Sequence, residues 1–194
     1  MKGPDHDAGS SSAGIFGDMQ PAVFIDRDDT LIANDGDLGD PAGVVLLEGA
    51  AKAVRRLHDA GYLLVVVTNQ GGVARGRYGE QDVEAVHHRL HQLIGPDLPI
   101  EFRYCPYHPK GTVARYTREH PWRKPAPGML LDAAKAMPVD LSRSWMIGDQ
   151  VRDAEAGRAA GCRTIHLGTS ADASIDFSAR DITHAVDILL EEDA

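Results

Sequence analysis

Cysteine is scarce: Cys105 and Cys162 are the only two in 194 residues, which argues against a disulfide framework. Long apolar runs are missing too. None approaches the ~20 residues that a bilayer-spanning helix needs, and the polar stretch from Met1 to Asp18 has no hydrophobic signal core. These absences lead us to expect a cytoplasmic protein that is not membrane-bound. Residues 1–18 are expected to be a flexible tail, short of the apolar side chains that would fix it. Positive charge is also in short supply. The formal net charge is −9, and Arg55-Arg56 and Arg123-Lys124 are too short to form a basic stripe, so no nucleic-acid partner is expected. The nine histidines show no metal-ligand spacing; His87, His88 and His91 fall on one predicted helix and read as a solvated face.

What is present is an ordinary globular balance, 43% hydrophobic and 25% charged, in a length that suits one domain over residues 19–194. Strand and helix patterns alternate from Pro21 onward. Strands are predicted at Ala22 to Asp26, Tyr62 to Thr68, Ile100 to Cys105, Ser144 to Ile147 and Arg163 to Leu167. Between them, helical spacing marks Ala50 to Ala60, Glu80 to Ile94, Met129 to Ala136 and Ala154 to Ala160, and a last helix is expected over Asp181 to Leu190. The fold class is therefore α/β: a single open, Rossmann-like parallel sheet with helices on both faces and no large cap domain. The Gly- and Asp-rich stretch Asp35 to Val45 reads as a loop over the site. Ligands of such sheets bind beyond the carboxyl ends of the strands, where Asp26, Thr68 and Asp149 fall.

Asp26-Arg27-Asp28-Asp29-Thr30 follows directly on an apolar strand. Acidic pairs at strand ends also arise as turn residues. Two carboxylates one residue apart can nevertheless divide labour: Asp26 as nucleophile and cation ligand, Asp28 as proton shuttle. Carboxylates this close repel one another, and a hard divalent cation with oxygen ligands, Mg²⁺, offsets that. Thr68 and Asn69 end a strand and can present a hydroxyl and N–H groups to a phosphoryl group. Lys124 supplies a point charge for a phosphate in transfer, and Arg123 a fork for a second oxyanion. Arg75, in the Gly-rich stretch Gly71 to Gly76, reaches either substrate or solvent.

The order Asp-x-Asp-x-Thr, then Thr68-Asn69-Gln70, then Arg123-Lys124-Pro125, then Gly148-Asp149 with Asp153, resembles the haloacid dehalogenase superfamily of phosphatases. Within it the chain is most similar to the branch of D-glycero-D-manno-heptose 1,7-bisphosphate 7-phosphatases and histidinol phosphatases. The matching stretches, including Val73-Ala74-Arg75-Gly76 and Pro125-Ala126-Pro127-Gly128-Met129, span the chain apart from its termini. The resemblance implies an Mg²⁺-dependent phosphomonoesterase working through an aspartyl-phosphate on Asp26. Asp28 would be the acid and base, with Thr68 and Lys124 completing the catalytic set. Asn69, Gln70, Arg75 and Arg123 would contact a small phosphorylated metabolite. The metal ligands would be the Asp26 carboxylate, the Asp28 backbone carbonyl and Asp149, with Asp153 in support. We expect a monomer. A non-catalytic phosphometabolite sensor is the rival of another class, and the presence of every catalytic group counts against it.

The chain departs from the family in three places. Many relatives hold a structural zinc with four ligands, of which only Cys105 remains here; Tyr107, His120 and Trp122 occupy the other ligand positions. A closed tetrahedral site needs four ligands, so no zinc is expected. A rebuilt set could draw only on Cys105, His108 and His120. Asp29 and Ile32 replace the family's Gly and Asn, and Asp35-Gly36-Asp37 replaces its substrate loop. Added acid beside a phosphate pocket disfavours a bisphosphate, which keeps histidinol phosphate as the alternative substrate.

Overall fold

A computed structural model of the protein describes residues 19–34 and 36–194. The tail expected over residues 1–18 lies outside the described residues, as does Asp35. Six parallel strands form one sheet: β1 Ala22–Ile25, β2 Leu63–Asn69, β3 Ile100–Cys105, β4 Trp145–Gly148, β5 Arg163–Leu167 and β6 Phe177–Ala179. Their spatial order is β3-β2-β1-β4-β5-β6, so the order reverses between β1 and β4. Crevices at such a reversal are where open α/β sheets bind ligands.

Helices α1 Ala50–Asp59, α2 Glu80–Ile94, α3 Gly128–Ala136, α4 Val151–Ala160 and α5 Ile182–Glu192 cover the sheet. Every residue of β1 and β4 is buried, as strands covered on both faces must be. Val23 and Ile25 pack with α1, α2 and α5 into one core. Ala22 and Phe24 point the other way, into a second core with Met129, Leu130 and Ala133 of α3 and Ala156 of α4. Alternate residues of one strand thus anchor both layers, which holds the Asp26 end rigid. No helix among the described residues is long and apolar enough to cross a membrane.

Three expectations need correction. Strand β6 was missed, because three residues, Phe-Ser-Ala, carry no readable period; pairing with β5 creates it. β3 does not alternate as expected: Phe102, Arg103 and Tyr104 are all half-buried, since this edge strand is only partly covered, by α2 on one face and α3 on the other. His87 is no part of a solvated face. It lies one helical turn after the buried Val83 and stacks on Phe102 with ring centroids 4.8 Å apart. His88 alone of the three histidines is exposed, and His91 pairs with the Leu98 carbonyl at 2.8 Å.

Candidate active site

Asp26 closes β1, and its N–H donates to Ile147 O of β4 at 2.9 Å, which ties the two central strands together where the order reverses. Its Oδ1 accepts from the Arg27 N–H at 2.8 Å and from Lys124 Nζ at 2.8 Å. Lys124 is 2% exposed and comes from a loop 98 residues away. The same ammonium donates to Val67 O at 2.7 Å and lies 2.7 Å from Asp153 Oδ1, an ion pair off the line of a hydrogen bond. Asn69 holds the Lys124 backbone reciprocally: Lys124 N donates to its Oδ1 at 3.0 Å, and its Nδ2 donates to Lys124 O at 2.9 Å.

Asp153 belongs to the first turn of α4 and is 1% exposed. Its Oδ2 accepts from Gln150 N at 3.0 Å, an N-terminal cap that fixes the carboxylate beside the helix dipole. Gly148 makes room for it, since a Cβ there would stand 2.4 Å from Asp153 Oδ2. Asp26, Asp149 and Asp153 each offer an oxygen, all within 4.8 Å of one another. They are the only such trio among the described residues that could share a cation. Burial pushes the Asp26 carboxyl up to about 7; Lys124 opposes that rise, and Asp153 and Asp28 add to it. Burial likewise raises Asp149. A buried acidic trio of oxygen donors fits a hard dication such as Mg²⁺. When all three are ionised, Lys124 offsets one of the trio's charges, and one dication would neutralise the two that remain.

The Asp28 side chain stands apart from this trio. Its carboxylate accepts from Arg27, from Asn34 Nδ2 at 2.8 Å, from Thr68 Oγ1 at 3.1 Å and from Gln70 Nε2 at 2.9 Å. The Thr68 hydroxyl is therefore engaged with Asp28. Gln70, expected on the substrate, is 2% exposed and sits behind the acid, accepting from Tyr78 at 2.8 Å. Asp26, Asp28, Thr68, Asn69, Lys124 and Asp149 line one recess of about 60 Å³, with Arg152 on its rim. Sequence reasoning missed Arg27, Asn34, Tyr78, Asp153's contact with Lys124, and Arg152. Only Arg27, lying between the two motif carboxylates, carried any signal.

Around this recess, Arg75 Nη1 and Arg123 Nη1 crowd one face of Gly71, where a Cβ would lie 3.0 and 3.5 Å from them. Arg123 donates to Tyr107 O at 3.1 Å; burial lowers its pKa, and Arg152 and Arg75 repel it further. Arg75 is held by Asp37, through Nε at 3.2 Å and also through Nη2, and Arg77 Nε meets the same carboxylate at 2.9 Å. The acid of Asp37 is thus offset by two guanidiniums. Asp29 adopts a left-handed φ of 55° and caps Asn34 N at 3.0 Å. In the loop that carries zinc in relatives, Tyr107 stacks on His120 at 4.1 Å and Arg118 covers Tyr107 at 4.2 Å. His108 Nδ1 and His120 Nδ1 accept backbone N–H groups at 3.0 and 3.1 Å, and Cys105 is buried near Tyr107 O. Aromatic stacking holds this loop.

A family model described as HAD-hydrolase-like matches residues 121–191. A D-glycero-beta-D-manno-heptose-1,7-bisphosphate 7-phosphatase of Rhodopseudomonas palustris is 44% identical over 144 residues, 73% of this chain and 80% of that protein. The chain belongs to the haloacid dehalogenase-like phosphatases. A D-glycero-D-manno-heptose-1,7-bisphosphate 7-phosphatase of Thermosynechococcus vestitus is 42% identical, over 77% of this chain and 80% of its own length. Among solved structures, a HAD-like phosphatase from Mesorhizobium loti superposes with a TM-score of 0.81 at 34% identity, covering 91% of this chain and 88% of the other. The D,D-heptose 1,7-bisphosphate phosphatase from B. bronchiseptica, solved with magnesium and phosphate, gives a TM-score of 0.77 at 26% identity, over 89% of this chain and 99% of the other. In this HAD-like chain, Asp26, Asp149, Lys124 and the strand-end Thr68 line one recess, with Asp153 against Lys124.

Proposed function

We propose that the protein is an Mg²⁺-dependent phosphomonoesterase that hydrolyses D-glycero-D-manno-heptose 1,7-bisphosphate at its 7-phosphate. The observation that carries the chemistry is Lys124 bridging Asp26 and Asp153 beside Asp149, which leaves a two-charge deficit at the nucleophile. Asp26 attacks phosphorus in line, the bond to the sugar oxygen breaks, and Asp28 protonates that oxygen as it leaves. Asp28 then takes a proton from the water that hydrolyses the aspartyl-phosphate. Lys124 stabilises charge on the phosphoryl oxygens, and Thr68 acts through Asp28, to which its hydroxyl donates. Asp26 and Asp149, with the Asp28 carbonyl, would hold the Mg²⁺, which when bound supplies charge neutralisation and Lewis acidity. Asp153 would orient Lys124 beside that ion.

The bisphosphate reading draws on the relatives and on the rim. Asp37 looked from the sequence like an obstacle to a second phosphate, but Arg75 and Arg77 offset its charge, and Arg123 forms no ion pair among the described residues. We also infer a cytoplasmic, monomeric enzyme, as the sequence leads us to expect. The test is turnover with Mg²⁺ on the heptose bisphosphate, histidinol phosphate and an aryl phosphate. The bisphosphate should give the highest kcat/KM. A preference for histidinol phosphate would overturn the substrate, and no turnover of any ester would leave a sensor.

A further inference from the structure

Arg27 touches both motif carboxylates, in different ways. Its backbone N–H donates to Asp26, while its side chain, with no exposed surface, grips Asp28 alone. Nε lies 3.1 Å from Asp28 Oδ1, and Nη2 lies 3.0 Å from Oδ1 and 3.2 Å from Oδ2. Asp28 is its one ion-pair partner among the described residues. Among the described residues Nη1 has no hydrogen-bond partner, nor has the buried His87 Nε2. His87 is walled in by Phe102 and by Tyr104, whose ring centroid is 5.7 Å away. Burial and the charge of Arg27 hold its pKa down at about 3, so its ring stays neutral and offers the guanidinium no competing charge.

A guanidinium taken out of water costs several kcal/mol unless a carboxylate answers it. Among the described residues only Asp28 answers it, and a planar fork fixes the plane of the carboxyl it holds. The other donors to Asp28, from Asn34, Thr68 and Gln70, are neutral and singly bonded to it. Each holds a single oxygen, and only the Arg27 fork spans both.

We propose that Arg27 is the positioning residue of the proton-transfer step, its buried fork setting the Asp28 carboxyl toward the leaving oxygen. Asp28 enters the step protonated from solvent; as the P–O bond breaks, its electron pair passes to the leaving oxygen, which takes the Asp28 proton and returns Asp28 to the carboxylate that the Arg27 fork pairs with, while Arg27 itself transfers nothing. This inference rests on the role of Asp28 as the acid.

The experiment compares kcat/KM on an alkyl phosphate, whose alkoxide needs a proton, with p-nitrophenyl phosphate, whose phenolate leaves without one. That constant reports steps through leaving-group departure and is blind to hydrolysis of the phosphoenzyme. Arg27→Lys keeps the charge and loses the fork. It should lower the alkyl value about 10²-fold and the aryl value less than about 3-fold. In an Asp28→Asn background it should add nothing to the discrimination. Equal losses on both esters, or none, overturn the proposal. Should Arg27→Lys not fold, Arg27→Gln takes its place under the same criteria, and failure of both to fold marks Arg27 as scaffold and overturns it as well. An Asp28→Asn enzyme that keeps full alkyl activity would sink the assignment of the acid, whereas an inactive Asp28→Asn beside an unaffected Arg27→Lys sinks this inference alone.

Discussion

Lys124→Met removes one buried charge and keeps most of the stem that fills its site. The ammonium makes two carboxylate contacts, at 2.8 Å to Asp26 and 2.7 Å to Asp153. At an effective dielectric of ~20, each corresponds to a gross attraction of about 6 kcal/mol. Most of that is cancelled by desolvation, and breaking a buried pair from one side costs about 3–5 kcal/mol net. A domain's whole stability is about 5–15 kcal/mol, so the metal-free variant should lie close to unfolding. Mg²⁺ should restore more stability to the variant than to the wild type, because Asp26 and Asp153 are left facing each other without a cation. Urea unfolding with and without Mg²⁺ measures both effects. At saturating Mg²⁺, kcat should fall about 10²–10³-fold on every ester, generic or natural, since the lost charge acts on the phosphoryl group itself. A stability loss below about 1 kcal/mol, or an unchanged kcat on any one ester, would refute the bridging role.

Asp26→Asn should fold yet lose turnover by several orders of magnitude, and retention of a tenth of the wild-type rate would exclude it as nucleophile. Arg123→Ala should raise KM for the bisphosphate and barely change a small aryl ester; equal damage to both removes its recognition role. Gly148→Ala would drive a Cβ to 2.4 Å from Asp153 Oδ2 and 2.6 Å from Asp153 Cβ, on a helix turn that cannot yield. It should cost about 1–3 kcal/mol and weaken Mg²⁺ binding, read by melting and calorimetry. In metal-free protein, Asp26 is raised from 3.8 to about 7, so the fold binds its proton more tightly than the unfolded chain does. Its contribution is complete below pH 3.8 and lost as pH rises through about 7. Stability should fall across that window, and the fall should vanish in Asp26→Asn and be suppressed by Mg²⁺.

Local pattern alone determined the layered parallel sheet and the strand ends that carry Asp26, Thr68 and Asp149. Apolar runs buried on both faces and helices at 3.6-residue spacing are written in consecutive residues, and a polar residue ending such a run must lie at the sheet's edge. The tertiary structure decided where the side chains of those positions turn. Nothing near Lys124 in sequence indicates that it reaches 98 residues back to Asp26. Gln70 and Asn69 looked like substrate contacts because they follow Thr68. Yet Gln70 is drawn behind Asp28, and Asn69 clamps the Lys124 backbone. Asp37 read as unmatched acid until Arg75 and Arg77 came within reach of it. His87 counted as solvated until α2 laid it on Phe102. The difference is physical. Hydrophobic burial depends on period and so is legible locally, whereas a hydrogen bond or ion pair depends on one partner at one distance, which only the folded chain supplies.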